Sequence, residues 1–274
     1  MSVLSNFHMH TTMCDGSDTP EAMAEAAFGL GFTCAGFSGH MDPDIHMDWE
    51  AYTAEIHRLQ QLYAGRMDIF MGTELDNLYP PSEVPGAEYI IGSTHFLDVP
   101  PVDGRRLSVD ASYEDIKLAA DTYFGGDYYK LCRAYYDFEA RVGERTGCTF
   151  VGHFDLVTRF NDDKHYVDEH SRLYLDPALE AMEYLARDCG LPFEINCGAY
   201  NRARKADFYP ATTLLRALQD FGGRIIINSD AHDTVHIGSC LDDAAEQAAA
   251  CGFTSRLELS RGADGAAGLV EVPL

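Results

Sequence analysis

The chain has 274 residues, enough for one large α/β domain or two small ones, and with 46% of them hydrophobic and 23% charged it supports a sizeable core. Twenty Lys and Arg against 44 Asp and Glu give a formal net charge of −24. That balance argues against a nucleic-acid partner and against docking on an anionic membrane, both of which need a basic surface. No apolar run approaches the ~18 residues of a membrane span. The opening Met1-Ser2-Val3-Leu4 lacks a basic stretch leading into an apolar one, so a cytoplasmic location is expected. Eight cysteines lie scattered from Cys14 to Cys251 without a Cys-x-x-Cys pair, and they are expected to be reduced.

In chain order, short apolar strands alternate with helical stretches. Val3 to His10 reads as a first strand. Thr19 is a natural N-cap and Pro20 fits the first turn of the helix that follows. Strands are expected over 32–38, 67–72, 88–93, 149–152, 192–196, 224–228 and 254–259. Helices are expected over 49–63, 113–145, 177–189, 211–221 and 241–251, the second of these rich in tyrosine. Strands alternating with helices indicate a parallel α/β sheet, and seven or eight such units favour a closed barrel.

Metal-capable side chains fall where these strands stop. His8 and His10 close the first, His40 follows the second, and Glu74 follows the third. His95, His153 and the Asp230-Ala231-His232 run end later ones. Residues i and i+2 of a strand point the same way, so His8 with His10, and Asp230 with His232, can each present two ligands to one ion. A glutamate has two oxygens and can bridge two cations, a role open to Glu74. In α/β barrels, catalytic groups come from the C-terminal ends of several strands. No one of these residues is diagnostic, but their joint placement points to a metal site. His46, His57, His165, His170 and His236 fall in loops or helices and are read as ordinary.

The ordered set His8-Met9-His10 with Asp15, Ser38-Gly39-His40, Gly72-Thr73-Glu74, Ser93-Thr94-His95, Gly152-His153 and Ser229-Asp230-Ala231-His232 resembles the polymerase and histidinol phosphatase (PHP) superfamily. The resemblance implies a distorted, TIM-like (β/α)7 barrel with a trinuclear site at its C-terminal face. It implies one domain over 1–274, with a helical insertion around 110–147. Three divalent ions (Zn, Fe or Mn) would be held by His8, His10, Glu74 and Asp230; by Glu74, His95 and His153; and by Asp15, His40 and His232. Asp15 enters only through this resemblance, since an aspartate in a Cys-Asp-Gly turn is ordinarily a turn residue. A catalytic hydroxide would form at ions held by Glu74, His8, His10, Asp230, His95 and His153.

The run Gly152-His153-Phe154-Asp155-Leu156-Val157-Thr158-Arg159 resembles the histidinol-phosphatase branch, as does the tyrosine-rich stretch before it. In that branch an arginine after Gly-His contacts the substrate phosphate, and Arg159 matches it. A second arginine follows a Glu-x-Asn strand end, here Glu194-Ile195-Asn196. The next residues depart from the usual pattern, leaving Arg202 or Arg204, with Arg204 preferred. The implied reaction is hydrolysis of L-histidinol phosphate. Two rivals remain: another PHP phosphoesterase acting on nucleotides or other small phosphate esters, and a non-catalytic metal-binding PHP domain. The sequence leaves the native metal and the oligomeric state open.

Overall fold

A computed structural model describes residues 2–274. The strands are β1 (Ser5–Asn6), β2 (Cys34–Phe37), β3 (His40–Met41), β4 (Asp68–Asp76), β5 (Tyr89–Ser93), β6 (Phe150–Val151), β7 (Phe193–Asn196), β8 (Ile225–Asn228), β9 (Ser255–Arg261) and β10 (Ala267–Pro273). The helices are α1 (Pro20–Gly29), α2 (Trp49–Tyr63), α3 (Tyr113–Tyr123), α4 (Tyr128–Glu139), α5 (Val142–Thr146), α6 (Asn161–Lys164), α7 (Arg172–Glu183), α8 (Gly198–Asn201), α9 (Thr212–Asp220) and α10 (Leu241–Ala250). Among the described residues no helix is long and apolar enough to cross a membrane.

The strands form one sheet in the order β1-β2-β4-β5-β6-β7-β8-β9-β10, with β3 also pairing β4. Pairing is parallel throughout except between β9 and β10. Beyond β1 and β8 the chain segments meet: His10 N donates to Ala231 O at 2.8 Å and Ala231 N to His8 O at 3.3 Å. Helices cover a parallel sheet, so its strands read as apolar runs, and all four residues of β8 are buried.

One cluster inside the sheet draws Phe7, Phe70, Tyr89, Ile91, Phe150 and Ile226 from neighbouring strands. The Tyr89 hydroxyl donates to Phe7 O at 2.7 Å and Phe37 O at 3.0 Å, which satisfies it. A Cβ on Gly72 would collide with the Tyr89 ring, so this close approach requires glycine.

Local signals explain most boundaries. Thr19 Oγ1 accepts from Ala22 N, and Pro20 opens α1 as expected. Asp48, Ser112 and Asp127 cap α2, α3 and α4 in the same way. Three expectations are corrected. The expected helix over 177–189 begins at Arg172, because Ser171 supplies a side-chain cap to Leu173 N, and Pro177 lies inside it. The third long strand does not stop before Glu74; it continues to Asp76 and places Glu74 in the sheet opposite His40. A final strand, β10, was not expected: it pairs with β9 across Gly262 to Ala266, where Gly265 takes a φ of +83° at the turn.

Candidate metal centre and anion pocket

Six imidazoles and three carboxylates converge where β1, β3, β4, β5, β6 and β8 end. Glu74 is at the middle. Its Oε2 lies 3.1 Å from His8 Nε2 and 3.3 Å from both His10 Nε2 and His40 Nδ1. Its Oε1 lies 2.6 Å from His153 Nε2 and 3.1 Å from His95 Nε2, and accepts from Ser93 Oγ at 2.8 Å. Asp230 Oδ1 is 3.3 Å from His10 Nε2, and its backbone takes a left-handed φ of +51°, uncommon for a residue with a Cβ. Asp15 Oδ2 is 3.1 Å from His232 Nε2 and 3.7 Å from His40 Nε2. The ring of His10 stacks between those of His40 and His232, at 4.4 and 4.2 Å.

All nine residues expected to hold metal are therefore brought together. Four overlapping sets have their donor atoms within 4.8 Å of one another: His10-Asp15-His40-His232, His8-His10-Asp230, His8-Glu74-His153 and His40-Glu74-His95. His46, His57, His165, His170 and His236 belong to none of these sets; His236 pairs instead with Asp233 at 2.7 Å. All eight cysteines are free thiols.

The donor set fits divalent cations on the structure's own chemistry. His10 Nε2 and His40 Nδ1 are buried and face carboxylate oxygens at 3.3 Å, yet neither has an aligned hydrogen bond. An imidazole lone pair facing a carboxylate needs a cation or a proton between them. The same demand shows in the titration of these groups. Burial alone would lower the His8 pKa, but Glu194, Glu74 and Asp230 outweigh it and push it up to about 10. His40, also buried and next to His10 and His95, is pushed down to about 3. Despite burial, the surrounding histidines hold Glu74 and Asp230 well below the usual carboxylate range. The cluster as a whole calls for positive charge.

A second ring of groups, not identified from the sequence, holds the first in place. Glu194 is fully buried; its Oε1 lies 2.7 Å from His8 Nδ1 and its Oε2 accepts from His153 N at 3.1 Å. Asp76 Oδ2 lies 3.4 Å from His95 Nδ1, and Asp42 Oδ2 lies 3.3 Å from His40 Nδ1. Glu194 hydrogen-bonds its imidazole, and a carboxylate so placed fixes the tautomer and raises the basicity of the ring. His95 Nδ1 and His40 Nδ1 have no aligned hydrogen bond, so Asp76 and Asp42 bear on them through charge, Asp76 also accepting from His95 N at 2.9 Å. Glu194 entered the sequence reading only as part of the Glu-x-Asn strand end, with no role of its own. Cys14 Sγ, 3.7 Å from His10 Nδ1, was likewise read as ordinary.

A cavity of about 290 Å³ opens over this cluster and is lined on its other side by Arg159, Arg202, Arg204, Asp110 and Tyr209. Arg159 Nη1 is 3.4 Å from Asp110 Oδ2. Arg202 turns back toward the cluster, with Nη1 2.9 Å from His232 Nδ1 and Nη2 3.5 Å from Asp230 Oδ2. A Cβ on Gly198 would run into the Asp230 carboxylate, so the departure from the expected pattern at this strand end makes room for it. Arg204 has no side-chain hydrogen bond among the described residues. Its partial burial, with Arg159 and Arg202 beside it, disfavours its charge and lowers its pKa. Three cations around one cavity, at least one without a partner, make a receptor for an anion.

Fold and site together define an α/β protein with a buried histidine-carboxylate centre for divalent cations beside an anion pocket. The PHP domain model matches residues 6–196, and the chain belongs to the PHP family, in its histidinol-phosphatase branch. It is 32% identical over 272 aligned residues to a protein of Deinococcus radiodurans named "Probable histidinol-phosphatase", covering 90% of this chain and 93% of that one. A Schizosaccharomyces pombe protein of the same name is 25% identical over 236 residues, covering 82% of this chain and 74% of the relative. The fold is shared with the Lactococcus lactis histidinol phosphate phosphatase, solved with zinc, L-histidinol and phosphate. That match has a TM-score of 0.69 and 20% identity, and covers 92% of this chain and 95% of the other.

Proposed function

We propose that the protein is a metal-dependent phosphomonoesterase that hydrolyses L-histidinol phosphate to L-histidinol and phosphate in the cytoplasm. The observation that carries this reading is the single cavity in which the histidine-carboxylate cluster faces Arg159 and Arg204. Two relatives named for this activity, one of them matching nearly end to end, support the choice of ester.

In this reading the sheet is a distorted (β/α)7 barrel in one domain over residues 1–274, with α3 to α5 inserted between β5 and β6. The backbone hydrogen bonds between His8, His10 and Ala231 support closure. Three ions would be held, one each by His8, His10, Glu74 and Asp230; by Glu74, His95 and His153; and by Asp15, His40 and His232. The overlap of the four donor sets on His10 and Glu74 supports shared ligands. Divalent ions there supply the Lewis acidity that activates water and offsets phosphoryl charge in a reaction that is extremely slow unassisted. The chain's own part is to hold and orient. Glu194 keeps the His8 imidazole aimed inward, and Arg159 and Arg204 fork onto phosphate oxygens. Arg202, paired with Asp230 and His232, serves the cluster more directly than the phosphate.

The test is phosphate release from L-histidinol phosphate against a panel of nucleotides and other small phosphate esters, using protein loaded with Mn or Zn. Histidinol phosphate is expected to have the highest kcat/KM. An equal or better nucleotide would transfer the reading to another phosphate ester. No turnover of any ester would leave a non-catalytic metal-binding domain.

A further inference from the structure

Tyr209 borders the same cavity and is only 2% exposed, yet its hydroxyl has no hydrogen-bond partner. The residue is held firmly. Asn196 N donates to Tyr209 O at 2.7 Å, and Tyr209 N donates to Asn196 O at 3.2 Å. The ring meets the His153 ring edge-on at 6.4 Å, and Lys205 Nζ lies 5.7 Å from its centroid. A buried hydroxyl without a partner is destabilising, and a phenylalanine ring would fill the same volume without that cost. The hydroxyl is therefore placed for a partner that is not part of the chain. Arg159 and Arg204 line the same cavity, Arg204 has no side-chain hydrogen bond among the described residues, and Asp110 there faces Arg159, so the partner that fits beside the hydroxyl is an anion.

We propose that the Tyr209 hydroxyl is a third donor of the anion receptor, donating to a non-bridging phosphoryl oxygen beside Arg159 and Arg204. A phenol has an ordinary pKa near 10, so at neutral pH it meets an anion as a donor. The inference rests on the phosphatase reading for its ester, but the same contact forms with free inorganic phosphate.

The experiment compares Mn-loaded wild type with Tyr209→Phe in three measurements. One is the inhibition constant of inorganic phosphate, and the second is kcat/KM on L-histidinol phosphate and on p-nitrophenyl phosphate. The third is thermal unfolding. Loss of one hydrogen bond to a charged group is expected to weaken phosphate inhibition roughly tenfold and to lower kcat/KM on both esters by a similar factor. The melting temperature should be held or raised, since an unpartnered buried hydroxyl is removed. An unchanged phosphate inhibition constant overturns the proposal. So does a loss confined to the alkyl ester, which would assign the hydroxyl to the leaving oxygen. A lowered melting temperature with unaltered phosphate binding would make the residue structural and also overturn it. If histidinol phosphate is no better a substrate than nucleotides, the substrate assignment fails while the shift in phosphate inhibition stands.

Discussion

His8 Nδ1 lies 2.7 Å from Glu194 Oε1, and both side chains are inaccessible to solvent. Glu194 also accepts from Asn196 Nδ2 and Asn228 Nδ2, each at 2.9 Å, so its carboxylate is fixed before any cation binds. The opposite nitrogen of His8 points at Glu74 Oε2. Replacing Glu194 by Gln keeps the shape but removes the charge that orients and polarises the imidazole. A 10- to 100-fold loss of metal affinity or kcat is expected, as for carboxylates behind ligating histidines elsewhere. Metal titration by calorimetry reads the affinity, and wild-type affinity together with wild-type kcat in E194Q would remove Glu194 from this role.

Eight of the nine residues of the cluster, Glu74 among them, were legible in the sequence because strand periodicity and strand ends are local properties. His8 and His10 needed only the two-residue repeat to share a face, and Asp230 and His232 needed only the Ile225-Ile226-Ile227 run before them. Asp15 was legible only by resemblance, since its turn carries no periodic signal. Glu194 and Asp76 were missed for the opposite reason, and Asp42, though close to His40 in sequence, lies in a bend that carries no periodic signal. Their partners are 186, 19 and 2 residues away respectively, and a carboxylate at a strand or turn says nothing of which imidazole it will meet. Helix α7 was misplaced because Pro177 reads as a helix start, whereas Ser171 caps the helix a turn and a half earlier and its buried face of Tyr174, Ala178, Ala181 and Met182 runs through the proline. The turn before β10 holds Gly262 and Gly265, a hairpin signal that was available and not read.

Asp110 Oδ2 competes with any incoming anion for Arg159 Nη1, which it faces at 3.4 Å. Ser108 Oγ donates to Asp110 Oδ1 at 2.7 Å and holds the carboxylate in place. Asp110→Asn removes a negative charge from the rim of an anion pocket and leaves Arg159 uncompensated. Inorganic phosphate should then bind about 3- to 10-fold more tightly, the scale of a partly exposed ion pair of ~1 kcal/mol. The gain should shrink as salt is raised from 0.01 to 0.15 M, following the Debye length. Weaker phosphate binding in D110N would show that Asp110 positions Arg159 for the anion rather than competing with it.

Metal uptake should release protons. Without metal, the carboxylates around His8 push its pKa up to about 10, and those around His10 and His95 raise theirs well above the ordinary value, in each case against burial. Imidazoles with pKa values raised in this way are expected to hold protons near neutral pH, and a ligating imidazole must be neutral. Calorimetric titration of chelator-treated protein with Zn or Mn, repeated in buffers of different ionisation enthalpy, should show more than one proton released per protein. Phosphatase activity should vanish with chelation and return with the metal. Zero net proton release would mean that the histidines are already neutral in the metal-free protein.

Glu139 gives the fold a pH dependence separate from catalysis. Its side chain is fully buried on α4, with Oε2 accepting from Thr94 Oγ1 and Oε1 without a partner. Burial raises its pKa from 4.5 to about 8, with Asp76 adding to the shift. The folded state thus binds this proton more tightly than the unfolded chain. By linkage its contribution is fully present below pH 4.5 and is lost as pH rises through about 8. A shift of that size corresponds to a few kcal/mol, on the order of 1.4 per pKa unit. Glutamine imitates the protonated carboxyl at every pH. Glu139→Gln should therefore match wild type near pH 5 and exceed it at pH 9, with denaturant midpoints diverging as pH rises. Parallel curves for the two proteins between pH 5 and 9 would show that Glu139 is ionised in the fold and that Thr94 alone stabilises the charge.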